Sequence, residues 1–319
     1  MRLFDKANYD VLGAWKSGSI AALAFILPGL LLLAVRGLNT SIEFTGGTLI
    51  ELQVTDTSIN TGSIRSALSG TSLSGAEIKV FDTPQDFVIR ARLDPQAGVS
   101  EESTQATAAA LDSAMASSFG TEMYKIVRTE AIGPKVGREL RSRAQLALLL
   151  AFGAIFVVIW FRYEWRFGLA AVLATVHDIF STVAFVSYMN LEVSLVVVAG
   201  LLTIIGYSLN DTIVTFDRVR ETLRKYKRHG LYDILNRSIN ETLPRTALTS
   251  GTTIVATIAL LLLAGKVISG FAWVMTFGIV TGTFSSIFIA SPLLMAIEHR
   301  WPGEDVRGTK KLSPATATN

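Results

Sequence analysis

The sequence contains no cysteine, and this absence excludes disulfide bonds, thiolate nucleophiles and thiolate metal sites. Charged residues are also scarce, because Asp, Glu, Lys and Arg together make up 17% of the 319 residues. Soluble domains carry about 25% charged residues, whereas 50% of the residues here are apolar. The composition therefore indicates an integral membrane protein. The net charge of +3 is too small to indicate a nucleic-acid partner, and none is expected.

Catalytic motifs are absent as well. The sequence has no H-E-x-x-H, G-x-S-x-G or P-loop pattern. An intramembrane hydrolase therefore has no supporting motif, although His177, Asp178 and Asp211 could be imagined as metal ligands. We expect a chain that is not an enzyme and that holds no cofactor and no metal.

Six segments are long and apolar enough to cross a bilayer. They are residues 18–36, 143–161, 168–189, 194–216, 245–265 and 271–296. No A-x-A cleavage site follows the first apolar run, so we expect an uncleaved first span. A polar region separates the first two spans, and the later connections are short except for 217–244. The sequence thus predicts a polytopic α-helical membrane protein with one inserted domain.

Basic residues indicate the orientation of these spans. The short loops 190–193 and 266–270 contain a single basic residue, Lys266, whereas the segments on the other side contain many. Because loops rich in Lys and Arg stay in the cytoplasm, we expect both termini inside and the polar domain outside. The predicted units are 1–37 with the first span, the outer domain 38–142, the five-helix bundle 143–296 with a cytoplasmic loop 217–244, and the cytoplasmic tail 297–319.

The outer domain has the pattern of a small α+β unit. The predicted elements are strands 44–54, 76–81, 87–93 and 123–129 and helices 63–68 and 100–119. The order βαββαβ predicts a ferredoxin-like sandwich of one sheet and two helices. Gly46 and Gly47 indicate a bulge or a close approach of two backbones.

The connecting segments are predicted to lie at the membrane surface. Residues 217–244 are basic first and then amphipathic, and Pro244 suits the first turn of the fifth span. Anionic lipid is a sufficient partner for such a segment. We interpret Arg138–Arg143 as interfacial cations rather than a ligand site. Residues 161–167 form a predicted tight turn whose arginines suit the headgroup layer.

Polar residues inside the predicted spans are the candidate functional residues. Asp211 lies in the fourth span beside Asn210, the pair His177-Asp178 lies in the third, and Arg245 opens a hydroxyl-rich fifth span. A charged side chain at the centre of a membrane helix costs roughly 3 kcal/mol, so it usually has a partner or a function. A carboxyl group in low dielectric favours its neutral form, and a nearby guanidinium favours the carboxylate. Asp211 and Arg245 could therefore bind and release a proton as they move.

Structural interpretations of the same residues stay open at this point. Arg245 could be an interfacial cation, His177 and Asp178 a structural hydrogen-bonded pair, and Asp211 part of a buried cap or ion pair. Gly278 and Gly282, with Ser286 and Ala290, form a small-residue stripe on the sixth span. We interpret this stripe as close helix packing.

Several motifs carry a resemblance to a known family. They are Phe44-Thr45-Gly46-Gly47-Thr48, Gly133 to Gly137, Phe161 to Phe167, His177-Asp178, Gly206 to Thr212 running on to Asp217–Glu221, Arg245-Thr246 with Thr249-Ser250, and Gly282 to Ser286. Over nearly its whole length the chain resembles the SecF family, the smaller membrane subunits of SecDF protein-export factors in the RND superfamily. The run G-Y-S-x-N-D-T leading into D-R-x-R-E is the most specific of these motifs. Ser41-Ile42-Glu43 departs from the G-I-D that usually precedes F-T-G-G-T.

The resemblance implies a bacterial inner-membrane subunit with its large domain in the periplasm. It implies pairing with SecD, association with YajC and the SecYEG channel, with YidC as a further candidate, and unfolded preproteins as substrate. Protons would be the coupling ion, and export would be assisted after the SecYEG/SecA step. Asp211 and Arg245 would take part in the proton path with Asn210, and His177 and Asp178 are further candidates.

Two other functions remain as alternatives. RND exporters of small hydrophobic molecules also use protons, but they carry two large outer insertions and about twelve spans, whereas this chain has one insertion and six spans. A structural scaffold would tolerate loss of every intramembrane charge. Asp211→Asn separates the scaffold from a proton-driven protein, because only the latter needs a titrating group there. A purified complex that moves dye but leaves precursor release unaltered would favour the exporter.

Overall fold

A computed structural model describes residues 8–81, 83–91, 101–162, 164–226 and 228–301. The predictions for the first seven residues, for the end of the strand at 92–93, for the helix start at Ser100 and for the tail from 302 onward lie outside the described residues. The described chain is mostly helical and contains one small antiparallel sheet.

Six helices of the described chain are long and apolar enough to cross a membrane, as the sequence predicts. They contain α1 (Trp15–Arg36), α5 (Pro134–Arg162), α6 (Trp165–Tyr188), α7 (Leu195–Lys225), α8 (Leu231–Leu263) and, in the last span, α9 (Lys266–Ser285) followed by α10 (Ser291–Arg300). A π-helical turn, Ser286–Ala290, joins α9 to α10. Such turns in α-helices are frequently found at functional sites.

The connection 217–244 is helical over most of its length, and the predicted place of Pro244 in the first turn of a helix is wrong. Helix α7 continues to Lys225 and α8 begins at Leu231, so Pro244 lies inside α8 rather than in its first turn. The amphipathic pattern has a different use from the predicted one. Its apolar residues are buried in a core cluster shared with the extension of α7 instead of lying on a membrane surface; they include Ile234, Leu235 and Ile239 with Val219 and Leu223.

The small domain folds around its sheet. Its elements are β1 (Gly47–Val54), α3 (Thr61–Leu68), β2 (Glu77–Val80), β3 (Asp86–Ala91), α4 (Glu101–Phe119) and β4 (Tyr124–Ile132). The strand order is β2-β3-β1-β4 with antiparallel neighbours, and the element order is the predicted one. Alternate residues such as Ile50, Phe87 and Ile89 are buried against Leu111 and Met115 of α4. This core gives the domain its stability without disulfides.

The two glycines before β1 allow a close backbone approach, as predicted. Both have positive φ, +74° at Gly46 and +135° at Gly47, a region that favours glycine. A Cβ on Gly46 would lie 2.8 Å from the Cα of Pro134. The prediction that the first strand begins at Phe44 is wrong, because Ile42–Thr45 form a short helix, α2, and the strand begins at Gly47. Phe44 is buried against the bundle instead of joining the sheet.

Short polar contacts attach the small domain to one end of the bundle. The backbone N–H of Ser41 donates to the carbonyl of Val193 at 2.9 Å, and Arg90 forms an ion pair with Glu192. The Glu43 carboxylate accepts a hydrogen bond of 2.5 Å from the N–H of Leu195, at the start of α7. Carboxylates at helix N-termini are favoured by the helix dipole. Glu43, which departs from the usual motif, therefore holds a defined structural position.

The opposite end of the bundle is closed by a buried ion pair. Arg166 donates to Glu298 at 2.6 Å and to Glu164 at 2.5 Å, and the side chains of Arg166 and Glu298 are both 7% exposed. Arg166, one of the arginines predicted to suit the headgroup layer, therefore points into the protein. The guanidinium instead ties the start of α6 to the end of α10. At the same end Asn236 and Asn240 of α8 hydrogen-bond to the backbone of Tyr9.

Candidate functional site

Asp211 lies on the face of α7 that is turned into the bundle, and it is 7% exposed. The hydroxyl of Thr246, from α8, donates to its Oδ1 at 2.6 Å. The hydroxyl of Ser286, from the π-helical turn, donates to its Oδ2 at 2.9 Å. Both donors are neutral. A buried carboxyl group is thus held between three helical elements by groups that can also accommodate a protonated acid.

Asp178 of α6 occupies a second buried position and is fully buried. Its Oδ2 accepts hydrogen bonds from Ser208 of α7 and, at 2.8 Å, from Ser285 of α9. Its Oδ1 lies 3.0 Å from Nδ1 of His177. Nε2 of His177 is buried and has no hydrogen-bond partner among the residues that the structure describes. The predicted His177-Asp178 hydrogen bond is present, and the pair also ties α6 to two further helices.

The two carboxyl groups share neighbouring stretches of α7 and of the last span. Ser208 and Asp211 are three residues apart on α7, which places them on the same helix face. Ser285 and Ser286 are consecutive on the last span. Each serine therefore serves a different carboxyl group, and the surrounding helices form one polar cluster inside the bundle.

Gly282 makes this cluster possible by letting the last span approach α7. A Cβ at Gly282 would lie 2.9 Å from the Cβ of Ser208. A Cβ at Gly278, one turn earlier, would lie 2.2 Å from Cδ1 of Ile204. Close approach of helices through small residues is typical of membrane bundles. The predicted packing role of the small-residue stripe agrees with these contacts.

Arg245 and Asn210 do not join the cluster. Both are exposed on the outer surface of the bundle, and within the described chain no ion pair of 4 Å or less links Arg245 to Asp211. Thr203, Thr249 and Thr252 are also exposed. We call these five residues the outer polar face. The candidate polar residues are thus divided between a buried cluster around two aspartates and an outer polar face that contains the arginine.

Sequence reasoning did not assign the serine partners of the two aspartates. Ser208, Ser285 and Ser286 all lie within the quoted motifs, but serine is common in membrane helices and its contacts depend on packing. The three-residue spacing of Ser208 and Asp211 was the available signal. Among the described residues no group of three His, Asp or Glu side chains could hold a metal ion. In particular, the structure does not bring His177, Asp178 and Asp211 together in one such group.

Two family models match the chain. The model described as protein export membrane protein SecD/SecF, C-terminal, matches residues 113–300, and the SecD/SecF GG motif matches residues 31–58. The second match contains Gly46 and Gly47, and the first contains every residue of the buried cluster.

Curated relatives match over nearly the full chain. The protein translocase subunit SecF of Gemmatimonas aurantiaca is 50% identical over 315 residues, which cover 98% of this chain and 93% of that protein. The protein translocase subunit SecF of Desulfurispirillum indicum is 42% identical over 88% of this chain and 87% of its own length.

Solved structures show the same fold. The crystal structure of SecDF, a translocon-associated membrane protein from Thermus thermophilus, matches with a TM-score of 0.82 and 34% identity. That match covers 94% of this chain and 40% of the SecDF chain, so this chain spans less than half of it. SecDF in a super-membrane-facing form matches with a TM-score of 0.66 and 32% identity over 92% of this chain and 39% of that one.

With the six spans, the double-glycine approach and the buried aspartates in place, the family model over most of the chain and the 50% identical relative show that this chain belongs to the SecF family of protein translocase subunits.

Proposed function

We propose that this subunit uses the proton-motive force to assist export of unfolded preproteins after the SecYEG/SecA step, and that Asp211 binds and releases the coupling proton. The observation that carries the proposal is the carboxyl group of Asp211, buried within the spans of a protein-export subunit and held by two hydroxyl groups. Intramembrane carboxyl groups commonly mark proton relays. His177 and Asp178 form a second candidate step in the same path.

The contacts of Asp211 suit a group that changes its charge. No cation lies within 4 Å of it among the described residues, and the side chains that hydrogen-bond to it are two neutral hydroxyl groups. A proton arriving from the aqueous side neutralises the buried charge, and its departure restores that charge. Moving one charge across the membrane potential is worth about 2.3 kcal/mol per 100 mV. That free energy is sufficient to bias two conformations of the bundle.

The outer polar face supports the proposal that this chain binds a partner subunit. Asn210 and Arg245 are exposed on long apolar helices, where lipid contact is unfavourable for both side chains. We assign this face to SecD, the other half of a SecDF-type complex. Arg245 would then reach the proton path from the subunit interface rather than through direct contact with Asp211. YajC, SecYEG and YidC are proposed further partners, from the family resemblance.

The proposed membrane arrangement follows the basic residues. The chain would cross the bacterial inner membrane six times with both termini in the cytoplasm. The sheet domain would be a ferredoxin-like domain in the periplasm. Its contacts to the bundle, including the Arg90–Glu192 ion pair, lie where a change in helix packing can reach the domain. Protonation of the buried cluster would thereby change the orientation of the domain that meets the preprotein.

Asp211→Asn tests the proposal in inner-membrane vesicles that contain the complex with SecD. The variant keeps the side-chain size but cannot titrate, so we expect SecD to copurify at the normal yield while proton-dependent stimulation of preprotein export is lost. Asp217→Asn is the matched control, because Asp217 lies on the same helix, is 50% exposed and should be dispensable. Full proton-dependent stimulation in Asp211→Asn would refute the proton role.

The exporter of small hydrophobic molecules is not favoured, since the matched relatives are translocase subunits. Export of a fluorescent dye by the reconstituted complex, with preprotein release unaltered, would reverse that preference.

A further inference from the structure

We infer that Ser286 is a positioning residue that transmits the charge of Asp211 to the π-helical turn, while its neighbour Ser285, the last residue of α9, holds the start of that turn to Asp178. The inference rests on the proposed proton role of Asp211 and adds the element of the fold that responds to the proton. Neither serine exchanges a proton in this scheme. Ser286 only changes the acceptor of its hydroxyl hydrogen.

Ser286 has two acceptors at equal distance. Its Oγ lies 2.9 Å from Oδ2 of Asp211 and 2.9 Å from the carbonyl oxygen of Thr283, one turn back on the same helix. A hydroxyl group has one hydrogen and can fully satisfy only one of them at a time. Ser286 is 1% exposed, so bulk water does not donate a hydrogen bond to the acceptor that the serine hydrogen leaves. The hydroxyl is therefore placed between the carboxyl group and the backbone of the last span.

The two charge states of Asp211 select different acceptors. When Asp211 is a carboxylate, the Ser286 hydroxyl donates to Oδ2, since hydrogen bonds to charged acceptors are the stronger ones. When Asp211 has taken up a proton, its own O–H donates to Ser286 Oγ, and the serine hydrogen turns to the Thr283 carbonyl. Every polar atom keeps a partner in both states, so the change avoids the free-energy cost of an unsatisfied buried group.

The affected carbonyl lies at the junction between two helix types. Thr283 is in the last turn of α9, and the π-helical turn begins at Ser286. The hydroxyl of Ser291 adds a 3.3 Å hydrogen bond to the Ser286 carbonyl, across the wider turn. A side chain that donates to a carbonyl inside the hydrogen-bond ladder changes the local bend of a helix. The charge of Asp211 thus acts on the point where the last span is least regular.

Ser285 repeats the arrangement for the other carboxyl group. Its Oγ lies 2.8 Å from Oδ2 of Asp178 and 3.2 Å from the Gly282 carbonyl. Ser285 is fully buried. Consecutive residues therefore bond the turn to α6 through Asp178 and to α7 through Asp211. One bond can hold the turn while the other changes, which gives the last span a fixed and a movable contact.

Other ionisable groups act on the same cluster, and the test must distinguish their effects from that of Asp211. Arg245 of α8 acts electrostatically on Asp211, and His177 contacts Asp178. Asp211→Asn and Asp178→Asn each remove one carboxyl group from an infrared pH-difference spectrum. The C=O stretching band of protonated Asp211 is the band that disappears in the first variant and persists in the second.

The test uses the purified complex with SecD, reconstituted in membranes. Ser286→Ala removes the hydroxyl, so the Asp211 band should move to higher wavenumber and the proton-dependent export rate should fall about tenfold, the size expected for one charge-assisted hydrogen bond. Ser286→Thr keeps the hydroxyl and should keep the band position. Thr276→Val is the matched control: it removes a hydroxyl of α9 that bonds Thr257 and the Ala272 carbonyl, and it should leave the band in place.

Ser286→Cys covers the case in which Ser286→Ala fails to assemble, because a thiol has nearly the same size and is a weak donor. It should move the band in the same direction by less. An unmoved band together with a normal export rate in the alanine or cysteine variant would overturn the inference. If Asp211→Asn still abolishes stimulation, the proposed function survives that result. If Asp211→Asn exports normally, the proposed function fails.

Discussion

Asp211 and Arg245 lie on neighbouring helices, α7 and α8, but they point to different environments. The carboxyl group of Asp211 is 7% exposed and bonds to Thr246, the residue next to Arg245 in sequence. Arg245 is exposed and forms no ion pair with Asp211. One helix thus presents a hydroxyl to the inside and a guanidinium to the outside. This division is the basis of our proposal that the arginine acts at a subunit interface.

Arg245→Gln should therefore weaken assembly. An exposed guanidinium in a span costs roughly 3 kcal/mol unless a partner pairs with it, and we expect SecD to carry the pairing carboxylate. The yield of SecD that copurifies with Arg245→Gln should fall about tenfold or more, whereas Arg245→Lys should lose less and Asp211→Asn should lose nothing. An unchanged yield for Arg245→Gln would instead support the interfacial-cation interpretation.

Removing one partner of the Arg166–Glu298 ion pair should destabilise the protein more than removing both partners. Arg166→Met leaves a buried carboxylate without this guanidinium, and such changes cost about 3–5 kcal/mol. The double variant Arg166→Met/Glu298→Leu removes both charges and should recover a large part of that loss. Unfolding of the purified variants by SDS titration measures the difference. A double variant less stable than Arg166→Met would contradict the expectation.

Gly278→Ala should destabilise the bundle by about 1–3 kcal/mol, because its methyl group would overlap Ile204. Combining it with Ile204→Ala should cost less than the sum of the two single changes, since the cavity accepts the methyl group. Gly251→Ala is the control, because among the described residues no atom from outside its own stretch of helix lies within 4 Å of its Cβ position. Additive losses in the SDS titration would show that the two residues do not pack as described.

Tyr124 of the sheet domain should ionise late. Burial and the hydrogen bond to Asp112 raise the pKa of its phenol to about 12 from 10.0. Because the folded-state pKa is above the unfolded value, Tyr124 stabilises the domain fully below pH 10, and that contribution is lost as the pH rises toward 12. The difference in tyrosinate absorbance between wild type and Tyr124→Phe should appear near pH 12 rather than near pH 10. A difference that is complete below pH 11, roughly midway, would contradict the raised pKa.

The number and order of the elements could be predicted because they depend on local composition. Long apolar runs gave the six spans, and alternation between turns gave βαββαβ in the sheet domain. The first and last residues of the helices were harder to predict from the sequence. The extension of α7 and the start of α8 are amphipathic, and the same pattern suits either a membrane surface or a neighbouring helix. Ile234, Leu235 and Val219 bury each other, which only the packed structure decides.

The candidate site divides in the same way. The sequence by itself determined that Asp178, Asp211 and Arg245 are ionisable groups within apolar helices, because hydropathy and charge are properties of each residue. Only the tertiary structure decided their partners, since a hydroxyl finds a carboxylate through the rotation and depth of a helix. Gly282 sets that depth by admitting Ser208, and the consecutive positions of Ser285 and Ser286 on the last span turn one to Asp178 and the other to Asp211. These distances are fixed by close packing, which no single stretch of sequence contains.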